Sequence, residues 1–165
     1  MLKGIDARVT PDLLDCLMRM GHGDEIAVVD AHFPAHSIAR TTTRAAPFAL
    51  AGIDAPGAVG LICDLMPLDD MARHCALRME VDGAPRELHD VHREALSIVM
   101  RSKPRLARVG RISREAYYKR AARAFAVVTT SELRPWGCFI LRKGLVNEAG
   151  QGASAPEAET RRNEA

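Results

Sequence analysis

A histidine set between two glycines, Gly21-His22-Gly23, presents an imidazole with little side-chain bulk around it. With an unperturbed pKa near ~6.5, an imidazole both donates and accepts protons at neutral pH. A small molecule reaching His22 would therefore meet a general acid and base. An apolar run, Ile26-Ala27-Val28-Val29, follows and stops at Asp30. A carboxylate where a buried strand ends sits at the mouth of a sheet, where it can accept hydrogen bonds from hydroxyls. A helix-capping histidine is the plainer role for His22, but the flanking glycines and Asp30 favour proton transfer on a small polar molecule.

The spacing of these two groups creates a difficulty. Asp30 lies eight residues after His22, and a strand rises ~3.3 Å per residue, so a straight strand carries them beyond the width of one small ligand. Either Gly23-Asp24-Glu25 folds back, or a neighbouring subunit completes the pocket, which would make oligomerisation part of the mechanism.

Other residues offer different chemistry. Asp30, His32 and His36 are donors suited to zinc or another divalent ion. Pro34 argues against the helix that would bring both histidines to one face, and Phe33-Pro34-Ala35 reads instead as a rigid wall of a pocket. No metal is expected. Residues 101–123 carry nine lysines and arginines against one acid, Glu115. A basic stripe can bind phosphates, but a solvated helix face explains it better. Tyr117 and Tyr118 are adjacent on that helix and point in different directions, so at most one faces a pocket and the other packs. Trp136-Gly137-Cys138 places the sole tryptophan in a loop, either as a stacking platform for a ligand ring or as a cover for the core edge.

The elements that must position these groups follow from local signals. Thr10-Pro11-Asp12 opens a helix, with threonine as N-cap, proline at the first helical position and an acid in the first turn. Leu13, Leu14, Leu17 and Met18 recur at helical spacing, and Gly21 is a natural stop. Ile26 to Val29 reads as a strand buried on both faces. Further helices are expected over 55–66, 91–100 and 114–123, the last with Ser113 as N-cap. Strands are expected over 75–81, 124–130 and 139–146. From Glu148 on, the chain is polar and without periodicity, so 148–165 reads as a disordered tail. Alternating helices and strands give an α/β fold, one mixed sheet covered by helices in a single domain over 1–147.

Composition narrows the class. At 165 residues the chain can bury roughly 70% of its unfolded surface, and with 47% hydrophobic but 4% aromatic residues the core should be aliphatic. A formal charge of +2 implies neither a nucleic-acid nor a membrane partner. No apolar run approaches the ~20 residues that span a bilayer. Cys16, Cys63, Cys75 and Cys138 are widely spaced, which with the absence of a secretory signal suggests reduced thiols and a cytoplasmic location.

Several of these segments together resemble the fucose mutarotase and ribose pyranase family. The blocks are Thr10-Pro11-Asp12-Leu13-Leu14, Met20-Gly21-His22-Gly23-Asp24-Glu25-Ile26 and Asp30-Ala31-His32-Phe33-Pro34-Ala35-His36, with Tyr118-Lys119-Arg120-Ala121, Ala124 to Thr130 and Phe139 to Gly144 agreeing near the C-terminus. The similarity spans about residues 1–146, is weakest between about 45 and 105, and looks more like the fucose branch. It implies an enzyme that interconverts the α and β anomers of a free monosaccharide, without a cofactor. His22 matches the family's catalytic histidine and Asp30 a sugar-binding aspartate. Arg114 falls where the fucose branch has a substrate-binding arginine. Trp136, Gly137 and Cys138 fall where a Tyr-Gly-Asn or similar tripeptide contacts the sugar; tryptophan for tyrosine removes a hydroxyl, and cysteine for asparagine an amide. The family forms ring-like homo-oligomers, decamers among them, with pockets near subunit contacts. Ribose pyranase action and non-catalytic sugar binding in a regulatory role are the alternatives.

Overall fold

The computed structural model describes residues 2–148, 150, 152 and 153. In chain order its elements are α1 (Pro11–Arg19), β1 (Glu25–Val29), α2 (Ala35–Ala39), β2 (Phe48–Leu50), α3 (Ala55–Leu65), β3 (Ala76–Met79), α4 (Asp90–Ser102), β4 (Val109–Ile112), α5 (Arg114–Ala121), β5 (Ala126–Thr130), β6 (Phe139–Arg142), β7 (Leu145–Val146) and β8 (Gly152–Ala153). Six strands form one sheet in the order β2-β5-β1-β6-β3-β4. β1 pairs parallel with β5 and antiparallel with β6, and β3 pairs antiparallel with β6 and parallel with β4. The sheet is therefore mixed, as the alternation of elements implies.

β1 lies inside the sheet, which explains its unbroken apolar run. Successive strand residues face opposite sides. Ile26 and Val28 accordingly join a core with Leu13 and Leu17 of α1, Val59 and Ile62 of α3, and Val91 and Val99 of α4. Ala27 and Val29 join a second core with Tyr117 and Ala121 of α5 and Ala35 and Ala39 of α2. The result is three layers, with helices on both faces of one sheet. Each large aliphatic side chain buried this way stabilises the fold by roughly 1.5–3 kcal/mol.

The local signals act as their chemistry requires. The Thr10 hydroxyl accepts from the Leu13 N–H at 3.2 Å, and the Ser113 hydroxyl caps α5 by accepting from the Ala116 N–H. Asp54 caps α3 through the Gly57 N–H at 2.8 Å; a Cβ at Gly57 would lie 2.8 Å from that same carboxylate oxygen. The end of α1 differs from expectation. The helix stops at Arg19, one extended residue before Gly21, and the Lys143 ammonium donates to the Leu17 and Met20 carbonyls at 2.7 and 2.6 Å. A long-range lysine, rather than a left-handed glycine, closes this helix.

Three short elements escape the sequence patterns. α2 is only five residues long and starts directly after Pro34. β2 has three residues, too few to show a period. β4, Val-Gly-Arg-Ile, lies within the basic stretch and at the sheet edge; a Cβ at Gly110 would come within 2.8 Å of His74 and Leu77. The segment expected as a strand over 139–146 is split by Lys143-Gly144 into β6 and β7. Of the tail expected to lack order, 149, 151 and 154–165 lie outside the described residues, and Gly152–Ala153 pairs with Leu145–Val146.

Candidate functional site

The residues singled out in the sequence gather at two ends of β1. At its C-terminal end, Asp30, His32, Phe33, Arg114, Tyr118, Trp136 and Cys138 line a cleft of about 190 Å³, a size suited to one small ring. Asp30 is buried. One carboxylate oxygen accepts from the His32 N–H at 3.1 Å, and the other accepts from the Cys138 thiol at 3.4 Å. A carboxylate has about four lone-pair sites, so capacity remains for ligand hydroxyls. Burial, with the Asp30 charge beside it, pushes the Cys138 thiol well above its usual range. Cys138 is thus a neutral donor and not a nucleophile.

Tyr118 faces this cleft while Tyr117 is fully buried, with its hydroxyl within 3.0 Å of the Val28 and Phe139 carbonyls. The two tyrosines therefore divide as their adjacency requires. Phe33 stands edge-on to Tyr118 with ring centroids 4.8 Å apart, forming the wall expected from Phe33-Pro34-Ala35. Arg114 opens α5 and ion-pairs with Asp82 at 2.8 Å on the rim.

The loop carrying the tryptophan is held from behind. Trp136 has φ +68°, a left-handed conformation that bulky residues seldom adopt. Its carbonyl accepts from the buried His92 Nε2–H at 2.9 Å, while His92 Nδ1 accepts from the His89 N–H at 3.2 Å. Burial lowers the His92 pKa to about 4, outweighing the hydrogen bond to Trp136. Buried Glu132 grips Arg134 through three hydrogen bonds, and its backbone carbonyl accepts from the Ala31 N–H beside Asp30. Gly137 does not line the cleft: a Cβ there would meet Glu132 at 2.8 Å and Val91 at 3.3 Å. Its part in the tripeptide is to let the loop pack closely, whereas Trp136 and Cys138 line the cleft.

His22 sits at the opposite end of the strand. The Gly23-Asp24-Glu25 segment does not fold back, and β1 itself puts roughly 15 Å between His22 and Asp30. The turn is built tightly. Gly21 N–H donates to Asp24 at 2.7 Å, Gly23 adopts φ +87°, and its N–H donates to the Lys143 carbonyl at 2.8 Å. His22 Nε2 lies 3.2 Å from Asp69 Oδ1. Asp69 itself is almost fully buried, while 36% of the His22 side chain is exposed. Burial alone would raise the Asp69 carboxyl; the Met71 N–H, His22 and Arg142 outweigh it and hold it below the ordinary carboxylate range. Beside His22 runs an apolar groove of about 490 Å³ that includes Leu17, Met18, Met66, Leu145 and Val146.

Asp69, His92 and Glu132 carry no sequence signature. Asp69 follows a helix in the unremarkable run Met66-Pro67-Leu68-Asp69-Asp70, and its partner is 47 residues away. His36 lies exposed on α2, and the His32 ring bonds the Leu133 carbonyl at 3.0 Å. Among the described residues no group of three or more His, Cys, Asp or Glu is placed to hold a metal ion. No helix among them is long and apolar enough to cross a membrane. The basic stretch is spread over the end of α4, the loop after it, β4 and α5, and Arg111, Arg114 and Arg120 are ion-paired with Glu80, Asp82 and Glu25.

A mixed six-stranded sheet with helices on both faces, a histidine turn at one end of its inner strand and a buried aspartate at the other define a recognisable class. The chain matches the RbsD / FucU transport protein family over residues 3–146, and it belongs to that family. It is 38% identical over 146 residues to the L-fucose mutarotase of Glaesserella parasuis, covering 88% of this chain and 96% of that one. It is 34% identical over 148 residues to the L-fucose mutarotase of Histophilus somni, covering 88% and 97%. The crystal structure of a fucose mutarotase from Streptococcus pneumoniae in complex with L-fucose superimposes with a TM-score of 0.79 at 32% identity, covering 88% and 100%. RbsD of Bacillus subtilis complexed with D-ribose has a TM-score of 0.64 at 17% identity, covering 89% and 100%, a likeness of fold alone.

Proposed function

We propose that this protein is a monosaccharide mutarotase that interconverts the α and β anomers of L-fucose or a similar pyranose. The observation that carries this is the pairing of a solvent-facing, carboxylate-backed histidine with a separate, ring-sized cleft built on Asp30. The names of relatives at 34–38% identity over most of the chain support it. Ribose pyranase action has weaker support, since the ribose-bound relative shares only the fold.

In the reaction, His22 takes the proton from the anomeric hydroxyl and passes it on to the ring oxygen as the C1–ring-oxygen bond breaks, returning to its starting state. The open aldehyde forms, the C1–C2 bond turns, and the ring closes on the other face with the proton movements reversed. No net proton is consumed. Positioned acid–base catalysis of this kind contributes about 10²–10⁴-fold, or roughly 3–5 kcal/mol of barrier. Asp30 accepts sugar hydroxyls, Arg114 donates to them, and Trp136 covers the apolar face of the ring.

Because β1 separates His22 from the Asp30 cleft, the working site takes His22 from one protomer and the cleft from another. The groove beside His22 supports this. Met18, Leu145 and Val146 are 77%, 45% and 55% exposed there, an apolar surface of the kind that a second copy of the chain covers. A closed homo-oligomer, with a decameric ring as the arrangement the resemblance implies, brings the two halves together.

Anomer exchange measured by saturation-transfer NMR on L-fucose, D-ribose, D-galactose and L-rhamnose tests the function. Faster exchange of one sugar, lost in His22→Ala with the fold retained, is the expected result. Binding without acceleration of any sugar would favour a non-catalytic sugar-binding role instead.

A further inference from the structure

At the edge of the sheet, β3 and β4 set two arginines side by side. Arg78 and Arg111 are Cα partners in the parallel register of these strands, and like charges at paired positions repel. Arg78 is only 4% exposed. Its guanidinium donates to the Met79 and Pro85 carbonyls at 3.1 and 2.8 Å, and no carboxylate pairs with it among the described residues. Burial, then the Arg111 charge, lowers its pKa, yet an arginine stays charged in a protein. A buried cation without a counter-charge is costly. Arg78, Arg111 and Arg86, the last from the exposed loop after β3, line a cavity of about 280 Å³ with Leu88, Leu96 and Met100 on its apolar side. Glu80 pairs with Arg111 at 3.2 Å, while Asp82 and Glu87 are taken by Arg114 and His89. Three guanidiniums against one carboxylate leave two positive charges uncompensated. The cavity shares no lining residue with the Asp30 cleft or with the groove beside His22.

We propose that this cavity is a second binding site, for a small organic molecule that carries a phosphate group. A phosphate monoester bears about −1.5 to −2 charges at neutral pH and presents three strong acceptor oxygens, which matches the uncompensated charge. A single carboxylate would leave one cation unmatched. Guanidinium is the group that grips phosphate with paired N–H donors. Arg78 supplies the fixed part of the grip, because the strand and the two carbonyls already hold it in place. Arg111 divides its charge between Glu80 and the ligand, and Arg86 completes the set from the loop. The cavity is larger than the 190 Å³ cleft suited to one ring, so a phosphate and a small carbon body fit together. Leu88, Leu96 and Met100 give that body an apolar wall, which a bare phosphate would not use. Inorganic phosphate shares the oxyanion chemistry and binds more weakly. Nothing in this site depends on the sugar reaction.

Isothermal titration calorimetry of the full chain with glycerol 3-phosphate, inorganic phosphate and acetate tests the site. Glycerol 3-phosphate should bind at one site per chain, inorganic phosphate more weakly and acetate not measurably. Arg86 and Arg111 are exposed, so Arg86→Gln, Arg111→Gln and the double variant should keep the fold, which circular dichroism checks. Each single substitution should weaken glycerol 3-phosphate on the order of tenfold, as expected for the loss of one charge-assisted contact. Arg114→Gln at the Asp30 cleft and Lys119→Gln on the exposed side of α5 should leave Kd within about twofold. Glycerol 3-phosphate should also raise the Tm of the wild type and not that of the double variant, since a ligand stabilises only a fold that binds it. No binding of either phosphate, equal binding in the double variant, or a loss confined to Arg114→Gln or Lys119→Gln overturns the proposal. Inorganic phosphate binding as tightly as the ester would overturn the organic ligand. Calorimetry reads binding and not turnover, so inactivity toward every sugar would count against the mutarotase function alone.

Discussion

Trp136 shows at a single residue how this site departs from ordinary packing. A non-glycine residue at φ +68° costs of order 1–3 kcal/mol and persists only where the surroundings over-determine it. Here the carbonyl is fixed by His92 and the next residue is a glycine wedged against Glu132. The residue is thereby delivered to the cleft that Phe33 and Tyr118 also line. Trp136→Gly should relax the backbone while removing the ring. Thermal unfolding is expected to show a Tm no lower than wild type, and kinetics a KM raised on the order of tenfold with kcat affected less. Cys138 adds to the same point. A thiol whose proton is directed at the Asp30 carboxylate orients that group while competing only weakly for hydroxyls.

Among elements, the loop 131–138 and the segment after α3 do most to position the site, and each has a physical weak point. The buried His92 is neutral in the fold because burial disfavours its charged form, and protonation would set Nδ1–H against the His89 N–H. Its pKa of about 4 lies below the ordinary ~6.5. Between those values the unfolded chain holds a proton that the folded chain refuses, so stability falls as pH drops through that window. The loss should reach on the order of 3 kcal/mol near pH 4. Urea unfolding at pH 7 and 4.5 should show a decline that is smaller in His92→Gln than in wild type. The second weak point is Gly144, whose N–H donates to the Pro67 carbonyl at 2.8 Å. A Cβ there would lie 2.6 Å from the Leu68 carbonyl oxygen and 2.9 Å from the Asp69 nitrogen. Gly144→Ala must push this backbone away and move Asp69 off His22. Denaturation should record a destabilisation of about 1–3 kcal/mol, with kcat falling and KM little changed.

For the whole molecule, the proposed reaction would make assembly a chemical requirement, because β1 separates His22 from the Asp30 cleft. On that proposal, protomers carrying His22→Ala lack the acid–base group and protomers carrying Asp30→Asn lack the sugar anchor; each alone should be nearly inactive. Unfolded together and reassembled, the mixture should regain a substantial fraction of wild-type exchange, because some interfaces then combine an intact His22 with an intact cleft. No recovery above the sum of the separate variants would show that each protomer works alone. Met18→Glu, placing a charge in the apolar groove beside His22, should yield smaller species in sedimentation and lose activity in parallel.

Much of this was legible in the residues. Patterns local in sequence carry their own physical cause, so the Thr10 and Ser113 caps, the buried run of β1, the helices α3 to α5 and the division of Tyr117 from Tyr118 could be read directly. The wording around His22 and Asp30 pointed to the family for the same reason. α2 and β2 were too short to show a period, and β4 was hidden under a run of charge. What only the tertiary structure decided depends on partners distant in sequence: Lys143 closing α1, His92 bracing Trp136, Gly137 packing backwards rather than toward the ligand, and Asp69 standing behind His22. None of these residues is unusual where it stands in the sequence. A buried carboxylate or imidazole takes its role from the groups folding places beside it, and those contacts, formed across tens of residues, leave no trace in local spacing.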